Sequence, residues 1–446
     1  MEIKDKSSII MFIFCFQIIF QFQFLTINSI ILNSIIRLGD NPFRYSHFSF
    51  STDGDMIVDS GSYPITNERR FYGIKKDGRG YFSDSSGNKI YQTSMTLSSS
   101  GGRVEGQSCI IKLHSTSSSI FGKEFLFGVS KAGSDTFKTE FYDLNERNSY
   151  SFNTLAIFGD INTHVFPLIP DPLNTDTQFN YIISYIATSG EDQHKFYTKK
   201  INFYLNSYSN GGWNQEELDQ VDSLHQKIVS CFFSDSYLYI CFYMKDNFKL
   251  TIRVLNIIDK TNNELSVYGY SEYYERRFFK GIHLKNEIGF FAYFKENAQR
   301  PTFSLYQIGE NKAIEIYKEY NDIEAIEGSF YNSEMLNDLI KLNNNTIYFV
   351  SSTTEKTGLN ILVFNLYDDD NYMNIRYFFI DTWNENKIKF FCELVLSLYN
   401  NFLVMAFSHC DQEVCEEALI EDYEHFSSMI FFSFPDITGN SFDVLE

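Results

Sequence analysis

"DLIKLNNNTIYFVSSTTEKTGLNILVFNLYDDDNYMNIRYFFI", residues 338–380, decides the fold class. DLIKL predicts a strand, the asparagines a turn and TIYFVSS a second strand. TTEKTG is a loop, LNILVFNL a third strand, YDDDN a turn and YMNIRYFFI a fourth strand. The second and third runs are apolar at successive positions, as strands buried on both faces are. The first is shorter and more mixed, with Asp338 near its start.

The plan recurs. Residues 228–269 contain IVSCFF, YLYICFYM, KLTIRVLNI and LSVYG. Residues 280–320 contain KGIHLK, EIGFFAYF, PTFSLYQIG and KAIEIYKEY. Marking the first strand of each unit gives starts near residues 46, 108, 164, 228, 280, 336 and 391. Seven units of about 55 residues fall in the range of four-stranded propeller repeats.

Over nearly the whole chain the pattern resembles the β-propeller architecture, though no named propeller family. There is no WD dipeptide with a Gly-His partner, and the double glycines at 101–102 and 211–212 fall between units. The resemblance implies an all-β, seven-bladed β-propeller. The alternative is two β-sandwich domains split near residue 215. There GGWNQEELDQVDSLHQK (211–227) reads as the one helix-like stretch, with Asn214 and Glu217 as its capping pair. Innermost propeller strands line a wetted channel, so Ser108, Ser230, Gly281, Asp338, His164 and His283 are expected near it. NSIIRLGD (33–40) is expected to add an outer strand to the last unit.

FSFSTDGDMIVDSG (48–61) carries Asp53, Asp55 and Asp59 and invites reading as an acid or metal site. Register argues otherwise. A three-residue loop, Thr52-Asp53-Gly54, sets Phe50 opposite Met56 and Phe48 opposite Val58, a wholly apolar face. Asp55 and Asp59 then lie about 13 Å apart along one strand, too far to share a proton or an ion.

Residues 1–32 read as a signal peptide or signal anchor: a short polar start, then an apolar run from Ile9 to Leu25 broken only by glutamines. The propeller-like domain is 33–446. Of seven cysteines, Cys15 lies in the leader. The other six make an even count in a predicted oxidising compartment. Cys410 and Cys415, in HCDQEVC, are the disulfide candidate, closing a small loop after a strand. Cys109, Cys231 and Cys392 fall in first strands of different units and are expected to lie too far apart to bridge one another. Asn344-Asn345-Thr346 is the glycosylation sequon, placed in a turn.

The formal net charge of −20 argues against a nucleic-acid partner and against docking on anionic lipid. Catalytic motifs are missing: no GxSxG, HExxH, GxxxxGK[ST], or GxGxxG opening a helix. The arginine pairs Arg69–Arg70 and Arg276–Arg277 read as strand-edge solvation. The acidic runs Asp368–Asp370 and Glu413–Glu424 lack a calcium-loop pattern. No catalytic, cofactor or metal residue is assigned. The expected function is a secreted or cell-surface module binding an extracellular protein or glycan, with membrane attachment through the N-terminal segment or a C-terminal extension. The alternative is a secreted glycan-acting hydrolase or lyase, whose site over the channel would need two carboxylates about 5–10 Å apart.

Overall fold

Over its described residues the computed structural model is almost wholly β, with seven four-stranded antiparallel sheets. In chain order, β1 is Ile31–Gly39. The first sheet holds β2 (Tyr45–Phe50), β3 (Met56–Ser62), β4 (Arg69–Ile74) and β5 (Gln92–Met95). The second holds β6 (Cys109–Lys112), β7 (Glu124–Ala132), β8 (Thr136–Asp143) and β9 (Ser149–Ala156). The third holds β10 (His164–Leu168), β11 (Phe179–Ile186), β12 (Phe196–Leu205) and β13 (Gly211–Val221). The fourth holds β14 (His225–Ser234), β15 (Leu238–Lys245), β16 (Leu250–Asn256) and β17 (Asn262–Ser266). The fifth holds β18 (Phe279–Lys285), β19 (Ile288–Phe294), β20 (Pro301–Ile308) and β21 (Ile314–Tyr320). The sixth holds β22 (Asn337–Asn343), β23 (Thr346–Ser352), β24 (Gly358–Leu366) and β25 (Met373–Asp381). A short helix, α1 (Thr382–Asn386), leads to the seventh: β26 (Lys389–Tyr399), β27 (Phe402–Cys410) and β28 (Phe426–Ser433). Besides these elements the structure describes residues 187, 195, 257–261, 278, 295, 298–300, 309, 321, 323–332, 336, 344–345, 353–357 and 388; the side chains it describes lie between residues 180 and 432.

β1 completes the seventh sheet, pairing antiparallel with β28 so that Ile35 stands opposite Ile430. This is the outer strand expected from NSIIRLGD. It begins at Ile31, inside the span read as leader; residues 1–30 lie outside the described set. The first strands of the sheets are neighbours: β10 touches β14, β14 touches β18, β18 touches β22, β22 touches β26, β26 touches β2, and β2 touches β6. Four-stranded sheets following one another along the chain, with first strands innermost, make a β-propeller architecture. No sandwich boundary falls near residue 215, where β13 completes the third sheet.

The packing follows from period-two alternation on strands buried on both faces. Every residue of β23 and β24 is buried. Tyr348, Val350, Ile361 and Val363 face the seventh sheet, packing with Leu396, Met405 and Phe407. Their neighbours Ile347, Phe349, Leu362 and Phe364 face the fifth, against Phe290, Phe303 and Leu305. The Phe303 ring lies 4.6 Å from Phe364 and meets Phe349 edge-on at 5.0 Å. Such pairs add about 0.5–1.5 kcal/mol each beyond their buried area. This gives the excess of Phe and Tyr a structural use between sheets.

Polar clamps join the sheets as well. On β13, Asp219 accepts from Arg253 of β16 through both carboxylate oxygens, one of them 2.8 Å from Nη2. Both side chains are nearly buried. Near the innermost strands, Lys341 on β22 donates to the Leu284 carbonyl of β18 at 2.8 Å.

The stretch read as a helix is strand β13. Tertiary pairing overrides local propensity here. β13 runs in register along β12, with Lys199 opposite Glu217 and Lys200 opposite Glu216. Asn214, expected to cap a helix, instead accepts the Asn202 side-chain amide at 2.8 Å. In the first sheet the hairpin register is as expected, Phe50 opposite Met56 and Phe48 opposite Val58. The loop with Asp53 and Asp55 lies outside the described residues.

Candidate functional site

Strand direction sorts the connections to two ends of the sheets. β22 starts, β23 ends, β24 starts, β25 ends and β26 starts at one end. Gathered there are residues 323–332 leading into β22, the β23–β24 loop and α1. At the opposite end sits the β22–β23 turn, where Asn343 Oδ1 accepts the Asn345 N–H at 2.9 Å. This local Asn turn is what the asparagine run encodes.

The gathered loops enclose a cleft of about 420 Å³, lined by Glu327, Glu355, Thr357, Phe379, Asp381, Trp383, Asn384 and Lys389. That size lies within the range of small-ligand sites. Backbone bonds make its walls rigid. Phe330 bridges to Thr353, Tyr331 N–H donates to Ser352 O at 2.9 Å, and Thr354 N–H donates to Ser329 O at 3.0 Å. The N–H groups of Thr382 and Trp383 both donate to Thr357 O, at 3.1 and 3.0 Å. Phe390 N–H donates to Lys356 O at 2.9 Å. Buried Asn360 fixes the third wall, accepting Ile326 N–H at 3.2 Å and donating to Glu327 O at 3.2 Å.

Two local features set what the cleft displays. Lys356 has φ 63°, a left-handed conformation costly for a residue with a side chain. Its ammonium lies 5.4 Å from the centre of the Tyr331 ring, and Thr353 Oγ1 caps the same turn through the N–H groups of Thr357 and Gly358. This turn carries Glu355 to the cleft. Gly358 lets the Phe379 ring approach: a Cβ there would sit 2.6 Å from that ring. Asp381 accepts the Asn384 N–H at 2.8 Å and the Asn384 side-chain amide at 2.5 Å, which starts α1. The Glu327 and Glu355 side chains are exposed.

The innermost wall offers different chemistry. Asp338 accepts from Lys280 of β18 at 2.5 Å and from the Leu396 N–H of β26 at 2.7 Å. It is nearly buried and serves as a tie between three sheets. His283 lies half-buried on β18, and His164 begins β10. Gly281 lies buried on β18, and Ser230 on β14 has only its backbone described. Among the described residues, no group of three His, Cys, Asp or Glu is placed to hold a metal ion.

Cys231 and Cys410 are both disulfide-bonded. Cys231 lies on an innermost strand, where Cys109 and Cys392 of other sheets are expected to be out of its reach. Its register neighbour on β15 is Cys241, across the hairpin within one sheet. Cys231 and Cys241 stand ten residues apart in sequence around the turn SDS. Cys415, the two acidic runs, Arg276–Arg277 and Ser108 lie outside the described residues, and Arg69 and Arg70 begin β4. Asn344 is exposed in its turn, its Oδ1 accepting from Lys341 at 3.2 Å. The cleft itself was not foreseen. No helix among the described residues is long and apolar enough to cross a membrane.

No protein-family model matches the chain, and no curated protein does. Similar solved structures include the WD40 domain of SCAP from fission yeast, 8% identical with a TM-score of 0.44, the match covering 91% of this chain and 90% of that one. An α-L-arabinofuranosidase from Fusarium graminearum is 10% identical with a TM-score of 0.39, covering 79% and 98%. The β-propeller domain of the Trilobed protease from Pyrococcus furiosus is 10% identical with a TM-score of 0.35, covering 68% and 80%. The architecture here follows from the chain's own sheet order.

Proposed function

We propose that the seven sheets close into a seven-bladed ring and that the chain is a secreted or cell-surface module binding an extracellular protein or glycan through its loop-built end. The observation that carries this reading is the display of polar and aromatic side chains on hydrogen-bonded loops at one end of the sheets. Glu327 and Glu355 are exposed there, beside Phe379 and Trp383. Asp381 is held by two hydrogen bonds from Asn384. Rigid loops on a propeller end suit recognition.

The sequon supports the same compartment. Asn344 lies exposed at the end opposite the cleft, so a glycan there leaves the cleft open. The disulfide at Cys410 fits an oxidising compartment too. The test is binding of the purified chain to arrays of extracellular proteins and glycans, with turnover of bound glycans followed in parallel. Saturable binding without turnover is expected. Cleavage lost in Glu355→Gln would favour the hydrolase instead, and no binding to either array would overturn the module reading.

A further inference from the structure

We propose that the cleft receives an ammonium group, the chemistry shared by free polyamines and the lysine side chains of a basic peptide. The inference rests on the reading of the chain as a binding module and names what its site takes.

Three carboxylates and one ammonium line the cleft: Glu327, Glu355 and Asp381 against Lys389. An anionic ligand would meet net negative charge. A neutral sugar would donate hydroxyl hydrogens to the carboxylates but leave their charge unpaired. A compact divalent ion is not served, because no three carboxylates among the described residues converge on one point. What remains is a cation larger than a metal ion that gains from aromatic contact. Phe379 and Trp383 line the cleft beside the carboxylates, and aromatic rings attract ammonium groups. The site is also preorganised. Gly358 seats the Phe379 ring, the left-handed turn at Lys356 presents Glu355, and paired backbone bonds to Thr357 O hold Trp383. Ordering these walls therefore costs a ligand little. The net charge of −20 favours encounter with cations over the whole surface.

The chain has two tryptophans, Trp213 and Trp383. In Trp213→Phe, fluorescence reports from the cleft alone. Spermidine, acetyl-trilysine amide and maltotriose are titrated separately. Either amine is expected to give a saturable change that weakens with added salt, as screened ion contacts do. Removing both exposed carboxylates, Glu327→Gln with Glu355→Gln, is expected to weaken it about tenfold, equal to ~1.4 kcal/mol. An unchanged melting temperature shows that this variant still folds. Response to spermidine alone identifies a free polyamine, and response to the peptide alone a basic partner. A response to maltotriose alone, unmoved by the glutamine variant, overturns the inference and leaves the module reading standing. Silence to all three probes overturns the inference; the arrays test the module reading separately.

Discussion

Asp338 on β22 and Leu396 on β26 are joined by a 2.7 Å hydrogen bond from the Leu396 backbone N–H to the carboxylate, across 58 residues of sequence. The other carboxylate oxygen holds Lys280 on β18. One side chain thus ties the innermost strands of three consecutive sheets. Asp338→Leu would strand a buried N–H and release an ammonium, at a cost of about 2–3 kcal/mol. Asp338→Asn should cost less, because its amide oxygen still accepts from one donor. Urea unfolding of the two variants measures the difference.

Gly289 should tolerate no side chain. A Cβ there would fall 1.9 Å from the Tyr306 ring, which is fully buried between strands. Gly289→Ala is therefore expected to destabilise by about 1–3 kcal/mol or more, as overpacking does. Tyr306→Phe is the matched control. The Tyr306 hydroxyl is 3.5 Å from the Ile282 carbonyl, a weak bond, so its loss should be nearly neutral. Thermal melting separates the pair.

Glu319 predicts a pH effect with a definite sign. Burial alone would raise its pKa, but the hydrogen bonds from Lys295 and Tyr293 outweigh it and hold the carboxyl below the ordinary value of 4.5. A carboxyl with a lowered folded pKa contributes stability above its unfolded pKa. That contribution is lost as pH falls through the folded pKa. The wild type should thus lose stability on acidification below about pH 4.5, and Glu319→Gln should lose less over the same window. Melting temperatures measured from pH 6 to pH 3 check this.

Peptide mapping without reduction should recover the peptide carrying Cys231 joined to that carrying Cys241, its register neighbour. The same digest should join Cys410 to Cys415. Cys231 linked to Cys109 or Cys392 would contradict the sheet order.

The parts legible in sequence were those whose local pattern and tertiary role coincide. TIYFVSS and LNILVFNL are continuously apolar because β23 and β24 are buried on both faces, so the run itself announced the strand. The Phe48–Val58 register followed from keeping one face apolar. β13 was misread because an edge strand owes its shape to its partner: Asn214 to Glu217 are exposed and carry no alternation. The cleft was illegible for a different reason. Glu327, Glu355 and Trp383 come from three connections, and only the alternating direction of β22 to β25 brings them to one end. The place of Asp338 on a first strand is legible in sequence, while its partners on β18 and β26 are set by packing between sheets.

The pairing of β1 with β28 bears on how the protein is made. Ile31–Gly39 leaves the ribosome well before its hydrogen-bonding partner Phe426–Ser433. At ~5–20 residues per second the early strand waits tens of seconds with its edge unsatisfied. During that interval Ile35 and Ile36 can pair with any strand that offers itself. The seventh sheet is thus a checkpoint on synthesis, and a nascent chain stalled late keeps an open, adhesive edge that chaperones would have to shield.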